Sequence, residues 1–121
     1  MRLELIDWTT FSDDRGTIQT YLPPDPIVEF NLVTLKAGEV RGMHWHPHFT
    51  EYLLFVSGQG ILRWRDRNSD EFGSVLAHRG AATRAEPGIA HAVRAKTDMT
   101  FIAMLTRRWD ESHPPIVKAE V

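Results

Sequence analysis

His44, His46 and Glu51 fall within eight residues, and all three side chains bind metals or carry protons. Side chains alternate along a strand, so two histidines two apart share one face. A turn separates them from Glu51, which begins the apolar run Glu51-Tyr52-Leu53-Leu54-Phe55-Val56. If the two strands are neighbours, two imidazoles and a carboxylate converge. Such a donor set suits a divalent first-row ion, namely Zn, Fe, Mn or Ni. The chain has no cysteine, so any such ion is held by N and O atoms alone.

The spacing around these residues is ordered. Gly38 is followed by His44, His46, Glu51 and Gly58, with five, one, four and six residues between them. A second segment runs Gly80, Glu86, Pro87, Gly88, His91 and Ala95. Together these segments resemble the two signature motifs of the cupin family, over Gly38 to Ala95. Cupins usually carry Pro where Glu86 stands and Asn where Ala95 stands, but the ligand position, His91, is filled. The resemblance implies that one divalent metal is bound by His44, His46, Glu51 and His91. Three nitrogens and one oxygen leave open positions on a six-coordinate ion, and open positions take substrate or water.

A second resemblance is narrower. Asp13-Asp14-Arg15-Gly16, Arg41-Gly42-Met43-His44 and the tail Trp109-Asp110-Glu111 are similar to motifs of the sugar-nucleotide cupins. That branch includes dTDP-4-dehydrorhamnose 3,5-epimerase and dTDP-keto-sugar 3,4-isomerases. It implies a metal-free barrel with His44 as the base, and Arg15 and Arg41 as clamps for a nucleotide diphosphate. Tyr52 and Tyr21 are candidate general acids. The catalytic candidates are therefore His44, Arg41 and Tyr52. The two resemblances conflict at His44, because a metal ligand is not a free base. The filled positions at Glu51 and His91 favour the metal. The expected function is a metal-dependent isomerase or epimerase acting on a small carbohydrate-like keto compound. Alternatives are the metal-free sugar-nucleotide enzyme, a metal-dependent dioxygenase that binds O₂ at the open positions, and a non-catalytic binding or sensor module.

Strands must position these groups, and helical periodicity is nearly absent. Short β-branched and aromatic runs are broken by Gly, Pro, Asp and Asn. They predict strands over 17–22, 28–35, 42–46, 51–56, 60–64, 74–77, 82–85, 90–95 and 100–105. The expected fold is all-β, a small antiparallel jelly-roll barrel of one domain over residues 1–121. On the strand from Glu51, Leu53 and Phe55 share the carboxylate's face, while Tyr52, Leu54 and Val56 face the other way. His48 reads as a solvated turn residue after Pro47. Trp45 should point away from the metal, Trp64 into the core, and Arg63 and Arg65 to solvent.

The remaining expectations are coarse. The formal charge is −2 and no basic block is present, so nucleic acid is not an expected partner. No apolar run is long enough to span a bilayer. A cytoplasmic protein with a small-molecule ligand is the default. The tail from Arg107 looks extended and is expected to cross to a partner, giving a homodimer.

Overall fold

The computed structural model describes all residues, 1–121. Twelve strands follow one another: β1 (Glu4–Leu5), β2 (Trp8–Asp13), β3 (Gly16–Tyr21), β4 (Glu29–Leu35), β5 (Val40–Trp45) and β6 (Glu51–Ser57). Then come β7 (Gln59–Asp66), β8 (Phe72–His78), β9 (Ala82–Ala85), β10 (Ile89–Ala95), β11 (Met99–Leu105) and β12 (Val117–Lys118). A single 3-10 turn, Trp109–Glu111, is the sole helical piece, and no helix is long and apolar enough to cross a membrane.

The strands form two five-stranded antiparallel sheets, in the orders β1-β9-β6-β11-β4 and β12-β5-β10-β7-β8. This is the expected all-β jelly-roll barrel of the cupins. Between the sheets lies an apolar cluster that includes Leu53, Phe55, Leu62, Trp64, Ile89, Val93 and Phe101. Burial of each large side chain contributes about 1.5–3 kcal/mol. Phe55 and Phe101 are cross-strand neighbours on β6 and β11, with ring centroids 5.5 Å apart. The alternation of β7 is strict, with Leu62, Trp64 and Asp66 buried and Ile61, Arg63 and Arg65 exposed. Trp64 is thus in the core, and Arg63 and Arg65 face solvent as expected.

Three elements differ from the expectations. Strand β2, which forms a hairpin with the predicted β3, and the two short terminal strands, β1 and β12, are additions to the nine predicted strands. The hairpin joins neither large sheet, every residue of β2 is exposed, and the Tyr21 hydroxyl donates to the Gly80 carbonyl at 2.6 Å. The tail also departs from its expected path. Instead of leaving the barrel, it returns, and β12 pairs with β5 of its own chain, Val117 opposite Trp45 and Lys118 opposite His44. The Ala119 N–H adds a bond to the Met43 carbonyl. An edge strand with free backbone groups is satisfied most directly by the chain's own tail, which is already tethered nearby.

Candidate functional site

Glu51 opens β6, the central strand of the first sheet, and His91 lies on β10, the central strand of the second. Both side chains point into the barrel and meet there. His44 is the register partner of His91 across the β5–β10 ladder. His46 lies just beyond β5, which ends before Pro47, a residue with no N–H for a ladder. Its ring stacks on Phe49 with centroids 4.5 Å apart. Ligand atoms of His44, His46 and His91 lie within 4.8 Å of one another. Glu51 Oε1 is 2.9 Å from His91 Nε2 and 3.3 Å from His46 Nε2. The four residues expected to hold a metal are therefore brought to one place.

Backbone carbonyls fix the direction of two of these rings. His91 Nδ1–H donates to the Ile89 carbonyl at 2.9 Å, and His46 Nδ1–H donates to the Pro115 carbonyl at 3.0 Å. A carbonyl only accepts, so the Nδ1 proton is required in both cases. In the neutral tautomer each Nε2 then presents a lone pair toward a carboxylate. Two acceptors facing a third repel, and His46 Nε2 has no hydrogen-bond partner despite full burial. A proton or a metal cation resolves the conflict. Ring N–H groups tied to backbone carbonyls are also how metal-binding histidines are oriented. The donor set fits a divalent ion.

The electrostatics follow from burial and pairing. Burial alone would raise the Glu51 carboxyl, but the adjacent His46 imidazole and the bond from His91 outweigh it and hold Glu51 well below the usual carboxylate range. Burial opposes charge on His91, yet the bond to Glu51 wins and its pKa is raised. His44 is different. Burial, then the neighbouring charges of His91 and His46, push it down to about 4. It is a neutral imidazole at neutral pH.

A cavity of about 420 Å³ opens over these residues. His44, Glu51 and His91 line one end, Val33, Leu53, Val93, Phe101, Ala103 and Leu105 form apolar walls, and Asn31, Arg41 and Trp109 stand at the rim. Its size lies within the range of small-molecule sites. Arg41 reaches this rim through a β-bulge. Arg41 and His44 are three positions apart, with two residues between them, so simple alternation puts them on opposite faces. The register instead runs Arg41 to Val93 and His44 to His91, with Met43 as the extra residue. Gly42 has φ +106° and Met43 φ +60°, and the bulge restores both functional residues to one face. The Arg41 Nε–H donates to the Thr34 carbonyl at 3.1 Å.

Other candidates lie elsewhere. Tyr52 does not line the cavity, which corrects the expectation that it supplies a proton there. Alternation turns it to the opposite face of β6 from Glu51, where its hydroxyl donates to Asp25 at 2.6 Å and accepts from Arg84 at 3.1 Å. Burial and Asp25 raise its pKa. Tyr21 is engaged at Gly80. Arg15 projects from the tip of the β2–β3 hairpin, paired with Asp13 and almost fully exposed, so this chain does not bring it to the cavity. His48 is exposed, and its Nε2–H donates to the His113 carbonyl. Trp45 faces away from the histidines, and the Arg67 guanidinium sits 4.2 Å over its ring. Sequence reasoning missed Asn31, Trp109 as a cavity wall, and the carbonyls of Ile89 and Pro115. The period-2 pattern of β4 carries the signal for Asn31, which shares a face with Val33. No local pattern announces a backbone carbonyl delivered by a returning tail.

Comparison with known proteins gives a consistent picture. A family model described as the polysaccharide biosynthesis C-terminal domain matches residues 11–114. The capsular polysaccharide assembling protein CapF of Staphylococcus aureus is 28% identical, with a TM-score of 0.71 over 95% of this chain and 33% of that one. A CapF structure with the inhibitor 3-isopropenyl-tropolone matches at the same identity and score, over 95% of this chain and 34% of that one. This chain thus spans about a third of CapF. The RmlC epimerase of Mycobacterium tuberculosis shares the fold, with a TM-score of 0.83 at 19% identity over 96% of this chain and 68% of that one. None of the curated proteins matches this chain.

Proposed function

The chain belongs to the polysaccharide biosynthesis C-terminal domain family, and from that premise we propose that it is a metal-binding epimerase or isomerase for a nucleotide-linked keto sugar. One observation carries the metal: the Nε2 atoms of His46 and His91 face Glu51 while backbone carbonyls hold both Nδ1 protons. His44, His46, Glu51 and His91 would supply its donors. The depressed pKa of His44 supports a ligand role over a base role. A ligand must be neutral, whereas a base works best with a pKa near the operating pH. The inhibitor of CapF points the same way, since a tropolone offers two adjacent oxygens, a chelating pair suited to a centre with open positions.

A divalent ion at this place supplies Lewis acidity toward a substrate carbonyl. The chain's own residues do the rest. The walls Val33, Val93, Phe101 and Leu105 exclude water from the sugar carbons, which strengthens every charge interaction at the buried end. Arg41 at the rim is the cation for a diphosphate, bidentate in its donors. Phe30, Leu32 and Val56 are exposed on the outer face of the first sheet. They support pairing with a second copy of the chain.

The test is direct. Full-length protein offered Zn, Mn, Fe or Ni, then dialysed, should retain close to one ion per chain by elemental analysis. With a nucleotide-linked keto sugar in D₂O, deuterium should enter beside the carbonyl, and a chelator should stop the exchange. Exchange that survives complete metal removal, and that is lost in His44→Asn, establishes the second reading instead. In that reading His44 is the base of a metal-free epimerase, as its place on the cavity wall and the shared fold with RmlC allow.

The pH dependence is a separate check. The folded pKa of His91 is raised above 6.5, so its pairing with Glu51 stabilises the metal-free chain below 6.5 and is lost as pH rises through the raised value. Metal-free protein should therefore melt at a lower temperature at about pH 8.5 than near its unshifted value of 6.5. Near 6.5, metal binding must displace the His91 proton, and calorimetry in buffers of different ionisation enthalpy should record its release. A melting temperature and metal-binding heat both indifferent to pH and buffer would argue against the His91–Glu51 pairing.

A further inference from the structure

The cavity has a second compartment. Beyond its rim lies a groove of about 480 Å³ whose walls include Glu29, Arg108 and Asp110. Asn31 and Trp109 line both spaces, so a ligand leaving the buried end on this side passes over them. Trp109 is 40% exposed, so part of its indole is open to a ligand. It is not loose. Its ring stands 6.2 Å from those of His46 and Phe49, and its backbone N–H donates to a Glu29 oxygen at 2.9 Å. The other Glu29 oxygen accepts from Asn31 Nδ2 at 2.8 Å. A carboxylate only accepts, so the amide must turn its NH₂ toward Glu29 and keep Oδ1 as a free acceptor.

The chemistry of this rim is selective. It offers an aromatic face and acceptors. The one cation lining the groove, Arg108, is paired with Asp110 at 2.7 Å and Glu111 at 3.3 Å. The carboxylates of Glu29 and Asp110 disfavour a phosphate in the groove, whereas hydroxyl groups find acceptors. An indole face is the negative side of its quadrupole and attracts the C–H edge of a saturated ring. Glu29 and Glu51 both pair with Leu105, from opposite sides. The rim therefore stands two strand spacings, about 10 Å, from the buried carboxylate. That span takes one pyranose ring with a hydrogen bond at each end.

We propose that Asn31 and Trp109, both held by Glu29, form a saccharide subsite in which the indole packs on the C–H face of a pyranose and Asn31 Oδ1 accepts from a ring hydroxyl. The subsite deepens the sugar-substrate reading and rests on it. The anionic part of a sugar nucleotide leaves on the Arg41 side of the same cavity.

The experiment uses full-length protein with ¹⁵N-labelled tryptophan, and Trp109→Phe assigns the Trp109 indole signal. Methyl β-D-glucopyranoside should shift that signal and leave those of Trp8, Trp45 and Trp64 in place. Asn31→Ala should weaken UDP-glucose binding about tenfold while leaving UDP binding unchanged. Asn31 is exposed, so its replacement leaves the core intact, and a circular dichroism melt confirms the fold. Wild-type protein that binds neither UDP-glucose nor UDP, yet shows the methyl glucoside shift at Trp109, overturns the nucleotide part of the proposed function and upholds the subsite. A methyl glucoside that leaves the Trp109 indole unmoved overturns the subsite, as does an unchanged preference of Asn31→Ala for UDP-glucose over UDP.

Discussion

Replacing His91 with alanine is expected to destabilise the metal-free chain by about 3–5 kcal/mol, the cost of breaking a buried charge pair from one side. The mutation leaves the Glu51 carboxylate nearly buried, with His46 Nε2 at 3.3 Å as its remaining partner. A domain of this size has about 5–15 kcal/mol in total, so the loss is a large fraction of its stability. The same substitution removes a metal donor, so metal occupancy should fall with it. His91→Ala combined with Glu51→Ala should cost less than the sum of the two single changes, because the second removes the charge that the first strands. His48→Ala, at an exposed ring bonded only to the His113 carbonyl, should lie within about 0.5 kcal/mol of wild type. Urea midpoints measured with chelator present give all four values. Additive costs for His91→Ala and Glu51→Ala would falsify the pairing, and a metal content unchanged in His91→Ala would remove it from the donor set.

Much of this arrangement is visible in the sequence, for a physical reason. Donors that meet in a barrel must sit at even spacing on inward faces, so His44, His46 and Glu51 are readable from period 2 and one turn. The strand pattern is readable because one face of each strand is apolar and turn residues separate the runs. The exceptions have equally definite causes. The segment Trp8-Thr9-Thr10-Phe11 has strand-forming residues, yet it pairs only with β3 and buries nothing, so no apolar face marks it. Tyr52 is one residue from Glu51, and the same parity that placed Leu53 and Phe55 inside excludes it. Trp109 and Pro115 reach the site because the tail turns back and pairs with β5, a long-range choice that no window of local sequence encodes.

Arg41 is the case in which parity fails, and the residue responsible sets the second large effect. Gly42→Ala is expected to cost well over 1 kcal/mol, toward about 3 kcal/mol, and to lower metal affinity with it. Gly42 has φ +106°, and a Cβ there would lie 2.6 Å from the His91 carbonyl oxygen and 3.0 Å from the Ala92 Cα. Both are backbone atoms of the paired strand β10, so no side chain can swing aside. The strands must part at the bulge, which moves His44 and Arg41 relative to His91. Gly38 provides the control, with φ +85° and nothing within 4 Å of its would-be Cβ. Gly38→Ala therefore carries the backbone penalty alone, about 1 kcal/mol, and leaves the metal affinity unchanged. The difference between the two variants isolates the steric contribution of the bulge. Urea midpoints and metal titrations on both decide the matter, and equal losses at Gly38 and Gly42 would mean that the bulge does not position the site.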